Sequence, residues 1–344
     1  MKPHEDSVTR RNVLVTGGAG SLGSSLTSML LARGYRVTVI DRLPQSCAWR
    51  LRSAECNEGL SYVWKAVEDM TERDIDGIGT IIYCNAQADR PLGVASPRYT
   101  VFNNVMPLVH ILELAKSSES LEKFLLPGSG TVFLGVPASE LPVSEDSTPK
   151  PANPYSASKY MEEILCQSYA RAYKVPVVIL RSGLVYGQGM RLDISIAQFI
   201  VKALTNDPIY VRSPKTTRTP AHIDDVLKFW DRVVEADHSK VVGRIIHTVP
   251  GLEYSMVTIA ETIKDVLGSS SPVILGEYEV GELVSDLPAR EWTISKTASE
   301  LGVVCDVSLE DGIRRTIPYI QEAITHAESA INALYSHPNV SSVY

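Results

Sequence analysis

Residues 13–23 of the chain read VLVTGGAGSLG. Three apolar residues suit a short buried strand, and the glycines after them suit a tight turn. Leu22, Leu26, Met29 and Leu30 then recur at helical spacing as far as Gly34, a residue suited to ending a helix. A glycine-rich turn between strand and helix is the context in which a backbone cradles a dinucleotide. Gly17 permits the turn, Gly20 lets the backbone approach a pyrophosphate, and Gly23 lets helix and strand pack closely. The helix N-terminus at Ser21 and Leu22 offers free N–H groups to phosphate. Residues 36–40 (RVTVI) form the next strand. Asp41 ends it eighteen positions past Gly23, close to the ~20 expected of an acid that accepts hydrogen bonds from a ribose. A carboxylate there repels a 2′-phosphate and favours NAD, whereas the neighbouring Arg42 is able to pair with such a phosphate.

Further apolar segments at 79–84, 123–126 and 175–180 suit buried strands, with helical patterns between them at 105–116 and 158–173. Strands alternating with helices imply an α/β fold with a doubly wound parallel sheet, the Rossmann arrangement. Beyond Gly187 the alternation loosens. Helices are expected at 194–204, 221–233, 256–267 and 309–329, and strands at 209–211 and 244–249. The expected division is a dinucleotide-binding domain over 11–187, with segments near 219–250 returning to it. A smaller C-terminal substrate-binding lobe lies mainly in 188–330. Residues 1–10 and 336–344 are expected to be loose tails.

The chain has 344 residues and a net charge of −7. Such a length suits roughly two domains. The acidic balance, with no long basic run, argues against a nucleic-acid footprint. Five cysteines without Cys-x-x-Cys spacing read as reduced thiols and predict neither a disulfide framework nor a metal site. No apolar run approaches the ~20 residues a membrane span needs. The polar first ten residues lack the apolar core of a signal peptide, which implies a cytoplasmic protein.

Mid-chain, Tyr155 and Lys159 stand four apart at the start of a helical pattern and so share a face. An ammonium near a phenol favours the phenolate. Tyr155 is thereby suited to take a proton from a carbinol as hydride leaves for a nicotinamide, with Lys159 also reaching the ribose. Ser129, in Pro127-Gly-Ser-Gly-Thr131 after a buried strand, suits a hydroxyl that holds the substrate oxygen.

With these residues in hand, the chain resembles the extended short-chain dehydrogenase/reductase family, in particular its NAD-dependent nucleotide-sugar epimerase/dehydratase branch, over roughly residues 11–320. The resemblance implies the catalytic trio Ser129, Tyr155 and Lys159. It also implies Asp69 and Met70 at the adenine, Asn85-Ala86-Gln87 beside the nicotinamide-side phosphates and ribose, and Asn104 as a structural asparagine. Gln87, Ser129, Thr131 and Arg218 are expected against the substrate, Arg218 on its diphosphate. Leu180-Arg181, Val185-Tyr186-Gly187 and His222-Ile-Asp-Asp225 are further landmarks. A homodimer built on helices 105–116 and 158–173 is implied as well.

Departures from the family pattern are Leu184 for an asparagine, Gln188 for a proline, Gly128 for a serine, and Arg212-Ser-Pro-Lys-Thr-Thr217 for a glycine-rich turn. Beside Ser129 there is no acidic pair of the kind that dehydratases and decarboxylases carry, so dehydration is disfavoured. The expected activity is NAD-dependent epimerisation of a nucleotide-linked sugar. Net oxidoreduction of a non-nucleotide alcohol or ketone and a catalytically silent NAD-binding protein are the alternatives. His222 is expected to pack structurally, Cys84 and Cys166 to act as small buried hydrophobes, and Glu162-Glu163 to form a solvated helix face. Arg290 and Trp292 are candidates to line the substrate pocket.

Overall fold

A computed structural model describes residues 11–212, 214, 216–276, 292–293 and 295–335, with side chains through 326. The expected tails at 1–10 and 336–344, and Arg290, lie outside the described residues. Seven strands form the central sheet: β1 Asn12–Thr16, β2 Arg36–Asp41, β3 Leu60–Trp64, β4 Thr80–Tyr83, β5 Lys123–Ser129, β6 Val177–Ser182 and β7 Ile245–Thr248. Their order is β7-β6-β5-β4-β1-β2-β3, and every pair is parallel. The order turns back between β1 and β4, the switch point where such sheets open a crevice at their carboxyl ends.

Helices cover both faces, as a sheet buried on two sides requires. On one face, α1 (Ser21–Ala32) packs with the helix at Ile223–Glu235. Leu26, Leu30, Val226, Phe229 and the fully buried Trp230 there join Val13, Val15 and Val39 in one core. On the other face, α2 (Pro97–Ala115) and α3 (Pro154–Tyr173) lie side by side. Leu108, Ile111, Leu112 and Cys166 meet Leu14, Ile81, Phe124 and Ile179 in a second core. A third core joins Met190, the helix at Ser195–Leu204, Ile209 and Val211 to the helices at Met256–Leu267 and Leu309–Tyr335.

The elements differ from the expectations chiefly at their ends. α2 begins at Pro97, where Pro sits in the first turn and needs no N–H partner. α3 begins at Pro154, because Asn153 caps it: its side chain accepts from Ser156 N at 2.8 Å and Ser156 answers to the Asn153 backbone at 3.0 Å. The helix expected over 221–233 starts at Ile223, and Pro220–His222 ahead of it form a short strand paired with Leu184–Tyr186. Strand β3 carries no clear apolar run, having partly exposed positions at the sheet edge.

Candidate active site

The glycine turn sits at the end of β1, against the end of β4. Gly17 has φ of +65°, and a Cβ there would lie 2.8 Å from both the carbon and oxygen of the Cys84 carbonyl. At Gly23 a Cβ would meet the Gly17 carbonyl oxygen at 2.4 Å, and at Gly20 the same oxygen at 3.1 Å. The turn is therefore a cradle in which a side chain would take the space of backbone, as a pyrophosphate site needs. Gly20 precedes α1 and supplies no side-chain cap, so the N–H groups of Ser21, Leu22 and Gly23 have no capping side chain, while Ser24 N donates to Gly20 O at 3.1 Å. Gly18 has its own constraint, since a Cβ there would stand 2.6 Å from Val39 Cγ1.

Asp41 is built into this cradle. Its Oδ2 accepts from Ala19 N at 3.0 Å and its Oδ1 from Leu43 N at 2.9 Å, which aims a half-buried carboxylate beside the turn. Arg42 is drawn aside: its Nη1 donates to Asn103 Oδ1 at 3.1 Å, and its Nη2 lies 3.8 Å from Glu68. Asp69 is exposed at the end of a short turn, while Met70 is buried in the second core.

The loop after β4 is tied down by one side chain. Asn104, fully buried in α2, accepts from Gln87 N at 2.6 Å and donates to Gln87 O at 3.3 Å and to Ser158 Oγ at 2.9 Å. Ser158 in turn donates to Tyr155 O at 2.8 Å. The asparagine thus locks the Asn85–Gln87 loop to the helix that carries Tyr155. The Gln87 amide is itself engaged, accepting from Thr100 Oγ1 at 3.0 Å and donating to Asp89 O at 2.8 Å. Ala86 is exposed, whereas Asn85 Oδ1 is buried with no hydrogen-bond partner among the described residues. An orphaned acceptor beside the cradle suits a ligand donor.

Tyr155 and Lys159 lie in the first two turns of α3, both nearly buried. A short helix at Arg90–Ala95 presses on Tyr155 so closely that a Cβ on Gly93 would sit 2.9 Å from Tyr155 Cβ. Gly93 was invisible to motif reading because its partner is sixty-two positions away. The ammonium of Lys159 reaches back toward the sheet, where its charge acts on the Cys84 thiol at the end of β4. Burial works to lower the Lys159 pKa, but Glu162 and Tyr155 outweigh it and the net shift is upward, keeping the ammonium charged.

The carboxylates that follow correct a sequence expectation. Glu162 and Glu163 are both fully buried, not solvated. They continue the stripe of Tyr155 and Lys159 at three and four residues on, and that stripe faces the sheet. Glu162 pairs with Lys159, and burial pushes its carboxyl up to about 7. Glu163 holds Arg181 of β6 in a forked contact, with Oε1 at 3.0 Å from Nε and Oε2 at 2.8 Å from Nη2.

Ser129 ends β5, in register with Ser182 of β6, and the turn after it packs against α3. Its Oγ is 2.8 Å from Thr131 Oγ1 and accepts from Thr131 N at 3.2 Å. Gly130 is covered by Trp292: a Cβ there would be 2.2 Å from indole Cζ2. Trp292 reaches this place through a bridge to Val143, with Thr293 N donating to Val143 O at 3.0 Å. Phe133 and His247 surround the indole, with ring centres 5.7 and 4.6 Å from it. Burial first, and then the Arg181 charge, push His247 down to about 3.

Arg218 is buried rather than a surface residue, and its Nη1 donates to the Thr217 carbonyl at 2.7 Å. His222 is also buried, edge-on to Tyr186 with ring centres 5.2 Å apart, a packing role like the expected one. Cys166 is buried and Cys84 half-buried. Among the described residues no cluster of three or more His, Cys, Asp or Glu is able to hold a metal, and no helix is long and apolar enough to cross a membrane.

Residues 13–247 match the model of the NAD dependent epimerase/dehydratase family. A putative UDP-glucose 4-epimerase of Methanocaldococcus jannaschii is 29% identical over 321 residues, covering 90% of this chain and 98% of that protein. UDP-glucuronic acid decarboxylase 1 of Xenopus tropicalis is 27% identical, over 92% of this chain and 74% of that protein. Among solved structures, the UDP-glucuronic acid 4-epimerase of Bacillus cereus, in complex with UDP-glucuronic acid and NAD, superposes with a TM-score of 0.81. It is 26% identical, over 91% of this chain and 99% of that one.

Proposed function

The chain belongs to the NAD-dependent epimerase/dehydratase family, and from that premise we propose that it is an NAD-dependent epimerase of a nucleotide-linked sugar, with a UDP-sugar as the first candidate. The observation that carries this reading is the meeting of the glycine cradle, the end of β4 and the Tyr155–Lys159 stripe at the carboxyl ends of the inner strands, with no acidic residue among the sequence neighbours of Ser129 in 127–133. The cradle, the aimed carboxylate of Asp41 and the orphaned Asn85 oxygen fit a dinucleotide, and Asp41 with a diverted Arg42 favours NAD over NADP. When bound, NAD supplies a hydride acceptor that also returns the hydride.

In this reading Tyr155 takes the proton of a ring hydroxyl and later gives it back, so that no net oxidation remains. Lys159 stabilises the phenolate electrostatically and hydrogen-bonds the ribose. Ser129 and Thr131 hold the substrate oxygen. Asn104 fixes Gln87 and, through Ser158, the start of α3, so the cofactor loop and the base keep one spacing. Arg218 holds the diphosphate, and the lobe around the third core closes over the sugar. The decarboxylase likeness is weighed down by Gly128, Gly130 and Thr131, none of which is an acid or base suited to eliminating a substituent.

The functional unit is a homodimer formed through α2 and α3. Phe102 and Met106 on one helix and Met161 and Ile164 on the other are exposed at 60, 48, 43 and 46%, an apolar face that a second copy would cover. The test of the activity is incubation of the purified protein with a panel of UDP-sugars, with products separated by nuclear magnetic resonance. A new epimer with constant absorbance at the reduced-nicotinamide band is expected, and Tyr155→Phe abolishes it. NAD-loaded protein that yields no epimer overturns the proposal, and a stoichiometric rise or fall in that band assigns net oxidoreduction instead.

A further inference from the structure

Lys159 faces two acids, and the chemistry above uses one of them. Glu162 Oε2 accepts from Lys159 Nζ, while Glu162 Oε1 is buried with no partner among the described residues. The carboxyl is fully buried, so among the described residues its compensation is the one ammonium it touches. Glu163 makes no comparable demand, because Arg181 of β6 neutralises it through its forked contact. The other titratable groups around the pair are Tyr83 and Cys84 from the β4 side and Cys166 on α3 itself. Burial raises all three well beyond neutral pH, so they stay uncharged there.

Building on the assignment of Tyr155 as the base, we propose that Glu162 is a positioning residue that shares the Lys159 ammonium with Tyr155. One buried cation then serves two acids, the carboxyl of Glu162 and the phenol of Tyr155. A low-dielectric interior favours one anion per cation and penalises a second. Two neutral arrangements follow: carboxylate with phenol, or carboxylic acid with phenolate. Passing from the first to the second moves one proton from the Tyr155 oxygen to the Glu162 carboxyl, and the summed charge of the three groups stays at zero. Glu162 thus holds the ammonium in place when Tyr155 is protonated and sets how readily the phenolate forms. With the carboxylate present, a phenolate at Tyr155 is a second anion that the one ammonium does not compensate.

Glu162→Gln keeps the size and an acceptor for Nζ but removes the charge. The measurement is the phenolate ultraviolet band of the cofactor-free protein against pH, taken as the difference between each protein and its Tyr155→Phe counterpart. The expected result is a Tyr155 midpoint lower by about one pH unit, a tenfold change in its ionisation constant. The acid limb of the epimerisation rate shifts in the same direction. Glu162→Asp, which retracts the carboxylate from Nζ, gives a smaller shift of the same sign and covers the case in which the glutamine variant does not fold. An unchanged midpoint in a folded variant overturns the sharing. A shifted midpoint in a protein that binds NAD yet produces no epimer upholds the sharing and overturns the epimerase reading alone.

Discussion

Replacing Gly130 by alanine tests whether Trp292 closes the site behind Ser129. The new methyl carbon would stand 2.2 Å from indole Cζ2 and 2.3 Å from Cη2. Carbon atoms in contact prefer about 3.5–4.0 Å, so the ring must retreat by more than ~1 Å. Trp292 is only 8% exposed and wedged among Val132, Phe133 and Val143, which leaves little room to retreat. Overpacking of this kind costs about 1–3 kcal/mol. Trp292→Ala alone, by emptying the same space, costs about 3–5 kcal/mol. In the double variant the alanine methyl enters the vacated volume, and the second substitution adds almost nothing beyond a residual from the Ser182 carbonyl oxygen at 3.2 Å. The expected coupling therefore equals nearly the whole Gly130→Ala penalty, about 1–3 kcal/mol. Urea unfolding of the four proteins measures it. If Gly130→Ala costs the same with and without the indole, the two residues do not touch and the described closure of the site is wrong.

Gly17→Ala places a methyl against the Cys84 carbonyl at a backbone angle that side chains rarely adopt, so NAD affinity measured by titration calorimetry should fall at least tenfold. Glu163→Gln leaves Arg181 buried without its counter-ion and should cost about 3–5 kcal/mol in unfolding free energy. His247 binds its proton less readily folded than unfolded, its pKa lying at about 3 against an ordinary 6.5. Its contribution to stability is therefore complete above pH 6.5 and is lost progressively as pH falls toward 3. Glu162, raised to about 7, works in the opposite sense between pH 7 and its ordinary 4.5, gaining stability on acidification. The difference between wild type and His247→Phe isolates the histidine, and urea midpoints that diverge on acidification, with the variant losing less, are the expected result.

The residues most legible in the sequence were those whose constraint is local. The glycine turn, the strand ahead of it and Asp41 lie within thirty positions, and each demands a backbone feature that few residue types supply. Tyr155 and Lys159 share a face because a helix has a fixed period. What escaped depends on contacts across the chain. The same period extends the stripe to Glu162 and Glu163, but charged residues on a helix ordinarily face water, and only the Arg181 and Lys159 partners make their burial tolerable. Gly93 against Tyr155, and Gly130 against Trp292, are fits between distant segments with no motif to announce them. Strand β3 was hidden for a simpler reason: an edge position leaves it half exposed, and its alternation is blurred.

The Asn153–Ser156 box that starts α3 also bears on how the chain can change length. Each added residue turns everything downstream by about 100° around a helix axis. One insertion between Tyr155 and Lys159 would swing the lysine away from the phenol and carry both glutamates off the sheet together. An insertion a few positions earlier, in the loop ahead of Asn153, leaves the cap to reset the register and costs the stripe nothing. Length variation is therefore admissible up to the asparagine and lethal to activity between the tyrosine and the lysine.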